Sequence, residues 1–280
     1  MRLGGAGRYP SLLVCNSIRQ GSIISPHLFN VYIDSLSVNL SRAGIGCHIA
    51  GTVANHLVYA DDLVVMAPSA KALNKLLGVC HEFALKNQII FSAVKSVCMA
   101  ISPRGINLDS MPKIKLGECE LAYVDTFKYL GHYITSDFKD NMDIAREVRS
   151  LYCRGNTLVR KFNFLNHEIK CSLFRSYCYP LYAAALWCNF RVADLYRLKV
   201  AYNSIMRKIS FLPQWESVRA TFVNSAVRSF DENLRAISLS LLTRITSSEN
   251  ALLVVVNNSN SAVFSAQIHR MCEVLYVHLV

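Results

Sequence analysis

The stretch His56-Leu57-Val58-Tyr59-Ala60-Asp61-Asp62-Leu63-Val64-Val65-Met66 places two adjacent carboxylates between two short apolar runs. Each run is rich in β-branched residues and has the length of a buried strand, so the pattern predicts a β-hairpin with aspartates at its turn. Two like charges side by side repel each other, and a divalent cation held by carboxylates and substrate phosphates would relieve that repulsion. A solvated turn is the alternative interpretation of this pair.

The composition predicts a folded intracellular protein. The chain has 280 residues, of which 52% are hydrophobic, enough to build one large or two modest domains. Its longest apolar stretches, 179–188 and 251–256, are shorter than the ~20 residues that cross a bilayer, and the first thirty residues lack a signal-peptide layout. We therefore expect a location in the nucleus or cytoplasm, without secretion and without a membrane partner. Ten scattered cysteines show neither zinc-site spacing nor a disulfide framework.

The positive charge is concentrated in the middle of the chain. The net charge is +11, and residues 139–219 account for +8 of it, with 14 basic against 6 acidic residues. This asymmetry indicates a polyanionic partner, and a merely solvated helical face is the alternative. The basic residues that we expect to contact phosphates are Arg146, Arg149, Arg160, Lys161, Arg175, Arg207 and Lys208.

Periodicity predicts a mixed first half and a helical second half. Apolar residues at three- and four-residue spacing predict helices over 26–41 and from Pro68 to about Lys86. Strand-like runs lie at 12–15, 89–93 and 97–101, and hairpins are predicted over 113–124 and 126–135. After Asp140 the pattern becomes helical, with an apolar stripe on the first helix from Ala145 to Phe162 and further helices over 168–188, 194–211 and 216–246. We therefore expect two parts, 1–138 and 139–280.

Four blocks of this sequence resemble those of reverse transcriptases. Residues 19–29, Arg-Gln-Gly-Ser-Ile-Ile-Ser-Pro-His-Leu-Phe, resemble the family's R-Q-G-x-x-x-S-P-x-L-F block, and Tyr59-Ala60-Asp61-Asp62 resembles its Y-x-D-D block. Residues 91–96 are similar to the lysine-bearing stretch that follows the catalytic hairpin, and 127–131 to the primer-grip hairpin. The order and spacing are most similar to the non-LTR retrotransposon branch.

The resemblance implies an α+β fold and an RNA-directed DNA polymerase activity. Residues 1–138 would form part of the polymerase palm, an antiparallel sheet with packed helices, and 139–280 an α-helical thumb and downstream connection. The implied reaction is two-metal nucleotidyl transfer with Mg²⁺ or Mn²⁺, in which an RNA template, a DNA primer and deoxynucleoside triphosphates are the partners.

The resemblance also assigns roles to single residues. Asp61 would bind metal directly, and Asp62 would act beside it in a weaker or outer role. Lys95 would protonate or hold the leaving pyrophosphate, although a solvated lysine is the alternative. Arg19, Gln20, Gly21 and Tyr59 would lie against the nucleotide and template, and Tyr129, Leu130 and Gly131 would grip the primer end.

The sequence departs from the family upstream of the first block. Reverse transcriptases carry another metal-binding aspartate there, whereas residues 1–15 contain no Asp or Glu. We therefore expect a truncated polymerase fragment that is inactive as an isolated chain, with an incomplete two-metal site. The alternative function is a non-catalytic nucleic-acid-binding remnant that uses the basic helical segment.

Overall fold

The computed structural model describes residues 23–49, 51–101 and 111–258. The strand expected at 12–15 and the site residues Arg19, Gln20 and Gly21 lie outside these ranges. The described strands are β1 (Cys47–Ile49), β2 (Thr52–Ala54), β3 (His56–Tyr59), β4 (Asp62–Val65), β5 (Val97–Cys98), β6 (Lys115–Leu116), β7 (Cys119–Glu120), β8 (Ala122–Tyr123), β9 (Thr126–Tyr129) and β10 (His132–Thr135). The described helices are α1 (Ser25–Arg42), α2 (Ala70–Asn87), α3 (Asn141–Lys161), α4 (His167–Cys178), α5 (Val192–Ile209), α6 (Arg219–Asn224), α7 (Phe230–Thr246) and α8 (Ala251–Asn258).

Helices and small sheets together make this an α+β protein, as expected. The described residues divide into two compact units, the first built from 23–47, 53–91 and 115–118 and the second from the described residues among 48–52, 92–114 and 119–258. This division differs from the one expected at residue 138, because the hairpin of β9 and β10 belongs to the unit that holds the later helices. The interpretation of the two sequence segments as palm and thumb stays a prediction.

The first unit is built around two helices. Ile33, Leu36 and Leu40 of α1 are buried with Leu76, Cys80 and Phe83 of α2, as helical periodicity predicts. Helix α2 begins where expected, since the Ser69 side chain accepts a hydrogen bond from the Ala72 amide and caps the helix. Val58, Leu63 and Val65 of β3 and β4 pack against this core.

The strands of the second unit are short. The hairpin of β9 and β10 is antiparallel, with Tyr129 opposite His132 and Thr126 opposite Thr135, as predicted. Strand β5 pairs in parallel with β8, and β8 lies within the segment that we expected to form a hairpin. The prediction of a strand at 89–93 is wrong, because these residues form none. Ile90 in this run is 93% exposed, so its apolar side chain has no core to join.

Three helices form the core of the second unit. Leu151 and Leu158 of α3, Phe174 of α4, and Leu198, Tyr202 and Ile205 of α5 are all buried in one cluster. Gly155 lies at the crossing of α3 and α5, where a Cβ atom would come within 2.3 Å of Ile205 Cδ1, so only glycine allows this approach. The expected helix over 168–188 ends at Cys178, and Pro180 follows, which has no N–H to continue it. The helix expected over 216–246 is two helices, with a capping box at Ser229 before α7.

The apolar stripe expected on α3 enters the core through Leu151 and Leu158, with Val148 and Tyr152 packed against it, but its first residue does not. Ala145 is exposed, whereas two carboxylates, Asp143 and Glu147, are fully buried beside Ile144 and Leu151. Burying an ionised carboxylate is costly unless it is paired and hydrogen-bonded. Both carboxylates must therefore be compensated inside the protein.

Asp143 is compensated by four donors from three places in the chain. Its Oδ1 accepts hydrogen bonds from the Tyr133 amide at 3.1 Å and from Arg146 Nε at 2.6 Å. Its Oδ2 accepts from His132 Nδ1 and from Trp187 Nε1, both at 2.9 Å. Burial alone would raise the pKa of Asp143, but the hydrogen bonds from His132, Arg146 and Trp187 outweigh it and lower that pKa. Asp143 thus ties β10, α3 and the segment after α4 together.

Glu147 lies one turn further along α3. It accepts hydrogen bonds from Arg146 Nη1 at 2.9 Å and from Arg154 Nη2, and Arg154 Nη1 also donates to the Pro180 carbonyl at 2.7 Å. Burial raises the pKa of Glu147, and the two guanidinium groups act against that rise. We call Asp143, Arg146, Glu147 and Arg154, with His132 and Trp187, the buried ion network.

Removing the Asp143 charge should destabilise the second unit. Asp143→Asn keeps the side-chain size but leaves the largely buried Arg146 guanidinium without its closest counter-charge. Breaking one partner of a buried ion pair costs about 3–5 kcal/mol. Urea unfolding followed by the fluorescence of the buried Trp187 will measure the loss of unfolding free energy.

Glu168→Gln is the control, because Glu168 is an exposed carboxylate on α4 and should change stability by less than about 0.5 kcal/mol. The contribution of Asp143 has a defined pH dependence. Because its folded pKa is lowered, the contribution is complete above the unfolded pKa of about 3.9 and is lost as the pH falls through the folded value. The unfolding free energies of the parent and of Asp143→Asn should therefore converge in acid. Equal unfolding midpoints for Asp143→Asn and Glu168→Gln at pH 7 would contradict this role.

Candidate active site and nucleic-acid interface

Asp61 and Asp62 lie at the turn of the hairpin formed by β3 and β4. Tyr59 is opposite Asp62 and His56 is opposite Val65, so the connecting loop has two residues, Ala60 and Asp61. Ala60 has a φ of 51°, in the left-handed region that disfavours a residue with a Cβ atom. A strained turn that is retained over a glycine turn is typical of functional sites.

The base of this hairpin is anchored to α1. Asn55 donates from Nδ2 to the carbonyls of Leu40 and Ile45, both at 2.7 Å, and its own carbonyl accepts from the Met66 amide at 2.8 Å. His56 donates from Nδ1 to Asn55 Oδ1 and accepts at Nε2 from the Ser37 hydroxyl, both at 2.7 Å. Burial lowers the pKa of His56, which fits the neutral ring that these two bonds require.

The two carboxylates are free to bind a cation. Both side chains are exposed, and neither takes part in a hydrogen bond or ion pair within the part of the chain that the structure describes. Magnesium prefers oxygen ligands and binds through one or two carboxylates completed by water and phosphate, so these residues fit such an ion. Among residues 23–49, 51–101 and 111–258, no three His, Cys, Asp or Glu side chains cluster as a metal site. The metal assignment stays a prediction.

The remaining residues assigned to the polymerase site belong to different parts of the chain. Tyr59 is exposed beside the carboxylate turn, on the opposite strand from Asp62. Lys95 belongs to the second unit, where its amide donates to the Ser92 carbonyl at 3.1 Å and its side chain is exposed. Gln20, Gly21 and Arg19 lie outside the described residues.

The turn between β9 and β10 carries Leu130 and Gly131. Their φ values are 46° and 83°, and two consecutive residues in this region make the two-residue turn that favours hairpins. Leu130 is therefore strained, whereas Gly131 is the residue type that this geometry needs. The Tyr182 hydroxyl donates to the Leu130 carbonyl, and its ring carbon Cε1 would lie 3.2 Å from a Cβ atom at position 131. Tyr182 thus covers the turn.

Arg146 connects this turn to the buried ion network. Its guanidinium lies 5.7 Å from the centroid of the Tyr182 ring, and its Nη2 donates to the Tyr182 carbonyl at 3.1 Å. Arg146 was expected to contact phosphates, but its guanidinium is held by Asp143, Glu147 and Tyr182 inside the protein. Its positive charge is therefore neutralised locally, and its placement supports the turn rather than a phosphate contact.

Sequence reasoning missed Asp143, Tyr182 and Trp187 as residues that position the turn. One signal was available, since Asp143 and Arg146 have the i, i+3 spacing of a helical ion pair. No signal in the sequence indicated the contacts from Trp187 and Tyr182, because these residues belong to a segment about 40 residues away in the chain.

The other expected phosphate-binding residues fall into two groups. Arg175 donates to the carbonyls of Ser225 and Ala226, and Arg207 donates to that of Glu216, so these two support loops. The second group has exposed side chains that make no ion pair in the described part of the chain, and consists of Arg149, Arg160, Lys161 and Lys208.

Arg149 and Arg160 lie on one exposed face of α3. The exposed residues Cys153 and Asn156 stand between them at helical spacing, so 149, 153, 156 and 160 form a single stripe. With a rise of 1.5 Å per residue, the stripe separates the two arginines by about 16 Å along the axis. We call these four residues the α3 stripe, and its geometry is compatible with two phosphate contacts on one duplex.

Comparison with known proteins finds similarity to one family over part of the chain. Residues 7–134 match the family model described as reverse transcriptase (RNA-dependent DNA polymerase). Over 139 residues, 48% of the chain, the sequence is 28% identical to a retrovirus-related Pol polyprotein from type-1 retrotransposable element R2 of Popillia japonica, and the match covers 20% of that protein. Over 250 residues, 84% of the chain, it is 21% identical to an RNA-directed DNA polymerase from mobile element jockey of Drosophila funebris, and covers 26% of it.

A Pol polyprotein from type-2 retrotransposable element R2DM of Drosophila melanogaster is 28% identical over 142 residues, 47% of the chain and 13% of that protein. The chain therefore spans about a quarter or less of the length of these curated relatives. In addition, no helix within the described ranges has the length and apolar character needed to span a membrane.

Gly131→Ala should distort the turn between β9 and β10. The new Cβ atom would adopt a φ of 83° and would also press on the Tyr182 ring at 3.2 Å. Left-handed backbone costs about 1–2 kcal/mol for a non-glycine residue, and the tight contact adds about 1 kcal/mol or more. Urea unfolding will measure the combined loss of unfolding free energy.

Gly51→Ala is the matched control, because Gly51 has a φ of 84° and no atom lies within 4 Å of an added Cβ atom. The difference between the two substitutions isolates the contact with Tyr182. Repeating Gly131→Ala in a Tyr182→Ala background should remove that difference. If Gly131→Ala and Gly51→Ala destabilise equally in the parent chain, Tyr182 does not constrain the turn.

Proposed function

Because residues 7–134 carry a reverse transcriptase domain of the non-LTR retrotransposon type, we propose that this chain is the part of an RNA-directed DNA polymerase that bears the catalytic carboxylates. The observation that carries the proposal is the strained turn with Asp61 and Asp62, whose exposed carboxylates have no partner in the described part of the protein. An anchored turn with two free carboxylates is suited to hold a divalent cation against a triphosphate.

The residues would divide the work of nucleotidyl transfer among them. Bound Mg²⁺ or Mn²⁺ would stabilise charge on the phosphate oxygens, with Asp61 as the direct ligand and Asp62 in a weaker role. Lys95 would hold the leaving pyrophosphate or give it a proton. Gln20 and Gly21 would lie against the nucleotide and template. The turn at Leu130 and Gly131, fixed by Tyr182, would hold the primer end.

We further propose that these 280 residues are inactive as an isolated protein. The family places another metal-binding aspartate upstream of the Arg19-Gln20-Gly21 block, and residues 1–15 contain no acidic residue. Two carboxylates alone should hold magnesium weakly, because such sites depend on the number of charged oxygen ligands. A polymerase of this kind would act in the nucleus or cytoplasm.

A second candidate function is nucleic-acid binding without catalysis. The α3 stripe supports it, since Arg149 and Arg160 present two positive charges that no carboxylate of the described residues neutralises. A duplex held through phosphates is bound regardless of its sequence. The two candidate functions make different predictions for Asp61. Catalysis requires its carboxylate, whereas nucleic-acid binding without catalysis does not.

Primer extension tests the catalytic proposal. The chain alone should not extend an oligo(dT) primer on poly(rA) with dTTP and Mg²⁺. A fusion that supplies the upstream acidic strand and fingers segment of an R2-type relative should extend it. In that fusion Asp61→Asn should lower the rate at least 100-fold, because it removes the direct ligand of the metal that stabilises the reacting phosphate.

Asp34→Asn in the same fusion is the control, since Asp34 is an exposed carboxylate on α1 in the same unit. Extension by the bare chain would refute its inactivity. Full activity of the Asp61→Asn fusion would refute the catalytic assignment and leave the binding function.

The α3 stripe predicts salt-dependent duplex binding by the full chain. If about five phosphates are neutralised, log affinity should fall against log salt with a slope near −4 to −5 for B-form DNA. Arg149→Glu with Arg160→Glu should weaken binding to all sequences alike and flatten the slope by about two units. Fluorescence anisotropy between about 50 and 300 mM salt will measure it.

Arg235→Glu with Arg244→Glu, on α7, changes the net charge equally and serves as the control. Arg146 is unsuitable for this test, because a glutamate there would face Asp143 and Glu147 in the buried ion network. A slope near zero would show that the basic excess is only a solvated face.

A further inference from the structure

Three helices of the second unit share one end. Helix α3 ends at Lys161, and a short loop leads directly to the start of α4. His167 Nε2, at the start of α4, lies 3.0 Å from the Ser210 hydroxyl, just after the end of α5. Lys170 Nζ lies 4.3 Å from the centroid of the Phe211 ring. The loops after α3 and after α5 are therefore neighbours.

These loops expose three large aromatic side chains. Phe164 is 82% exposed, Phe211 71% and Trp215 88%. Leaving such rings in water is unfavourable, and most aromatic residues are largely buried. Elsewhere in this unit the aromatic residues Phe174, Tyr202 and Phe222 pack against one another in the core. Phe211 lies over the buried Lys170 ammonium, whereas no described contact gives Phe164 or Trp215 a packing role.

Phe211 is held in place by a strained backbone. Helix α5 ends in a Schellman arrangement, in which the Leu212 amide donates to the Arg207 carbonyl at 3.0 Å and the Phe211 amide to that of Lys208 at 3.4 Å. The residue at the position of Phe211 has a φ of 55°, where helices commonly carry glycine. One part of the ring lies over the Lys170 ammonium, and 71% of the residue stays exposed to solvent.

Positive charge surrounds the aromatic rings. Arg160 and Lys161 are exposed in the last turn of α3, and Lys208 is exposed in the last turn of α5. The nearby acidic side chains are Glu168 and Glu216, both exposed. Lys170 and Arg207 also lie here, so basic groups outnumber the carboxylates at this end of the helices.

We propose that this basic-aromatic end, formed by Arg160, Lys161, Phe164, Lys208, Phe211 and Trp215, binds unpaired nucleic acid. Aromatic faces stack on exposed bases of any sequence, and adjacent cations follow the backbone phosphates. In a duplex the base faces are already stacked on each other, so exposed aromatic rings gain little stacking energy by contacting a duplex. The proposal shares with the proposed function only the nature of the partner, and requires neither Asp61 nor catalysis.

The two tryptophans make stacking measurable in the full chain. Trp215 is exposed and Trp187 is 1% exposed, so an added oligonucleotide should quench Trp215 alone. Titration with (rU)12 and (dT)12, without metal or nucleotide, should quench the exposed fraction of the emission. A blunt 12-base-pair duplex at the same phosphate concentration should quench it much less. Trp215→Phe should abolish the quenching and keep the affinity in an anisotropy assay with labelled (dT)12.

Substitutions separate stacking from charge. Trp215→Ala should weaken (dT)12 binding at least about fivefold, the effect of losing one stacked base. Phe211→Gly should weaken it similarly, and its Tm should fall less than that of Phe211→Ala, because both lose the contact with Lys170 but only glycine suits the left-handed position. Lys208→Glu should flatten the salt dependence by about 0.7 units or more, as expected for at least one phosphate contact on a single strand.

Two controls match these variants. Tyr196→Ala removes a ring that is 62% exposed near the other end of α5, and Arg244→Glu makes the same charge change on α7. Both should leave (dT)12 affinity within twofold of the parent, after allowance for net charge.

The proposal is overturned if single strands do not quench Trp215, or if Trp215→Ala and Phe211→Gly bind (dT)12 as the parent does. Concentration-dependent dimerisation that these two variants abolish, without oligonucleotide quenching, would instead assign the surface to a second copy of the chain. Loss of primer extension in the Asp61→Asn fusion has no bearing on quenching, and a failed extension assay with intact quenching refutes only the catalytic assignment.

Discussion

The second unit depends on the buried carboxylate of Asp143. A charge with no exposed surface must find its whole solvation inside the protein, and here it does so through a backbone amide, an imidazole, a guanidinium and an indole. The four donors come from three segments, so the charge fixes the hairpin, the long helix and the segment after α4 at once. Apolar packing among α3, α4 and α5 supplies most of the burial, but it is less directional. The ion network specifies which hairpin face meets the helices.

The two hairpins show the same physical device in both units. Ala60 and Leu130 each occupy a left-handed backbone position in a two-residue turn, where glycine would be the unstrained choice. Each turn is held by residues outside it. Asn55 and α1 hold the turn at Ala60, and Tyr182 with Arg146 holds the turn at Leu130. Side-chain anchoring of this kind lets a turn keep a conformation that its own residues do not favour. The roles proposed for these turns, in catalysis and in holding the primer, would both need such fixed geometry.

Much of this arrangement could be predicted from the sequence. Periodic apolar residues located α1 and α2, and the Ser69 cap fixed the start of the second helix. Paired β-branched runs around Asp61 and around Gly131 predicted both hairpins, because turn chemistry is local. The run at 89–93 misled us, since β-branched composition cannot reveal whether a partner strand exists. Arg146 misled us for a related reason, because a cation that neutralises buried carboxylates has the same sequence pattern as one that faces solvent. The other donors to Asp143, Trp187 and His132, become visible only in three dimensions.

The crossing of α3 and α5 at Gly155 has a consequence for how copies of this sequence would diverge. Any side chain at position 155 meets Ile205 at less than a normal contact distance, so the helices would separate and the core would loosen. The glycine is therefore under selection whenever the helical unit must fold, whatever the protein does. Asp61 is exposed and its side chain makes no hydrogen bond or ion pair among the described residues, so selection on it would follow the proposed catalytic role alone. Among related copies, loss of Asp61 with retention of Gly155 would mark lineages that kept a folded nucleic-acid-binding protein after polymerisation had been abandoned.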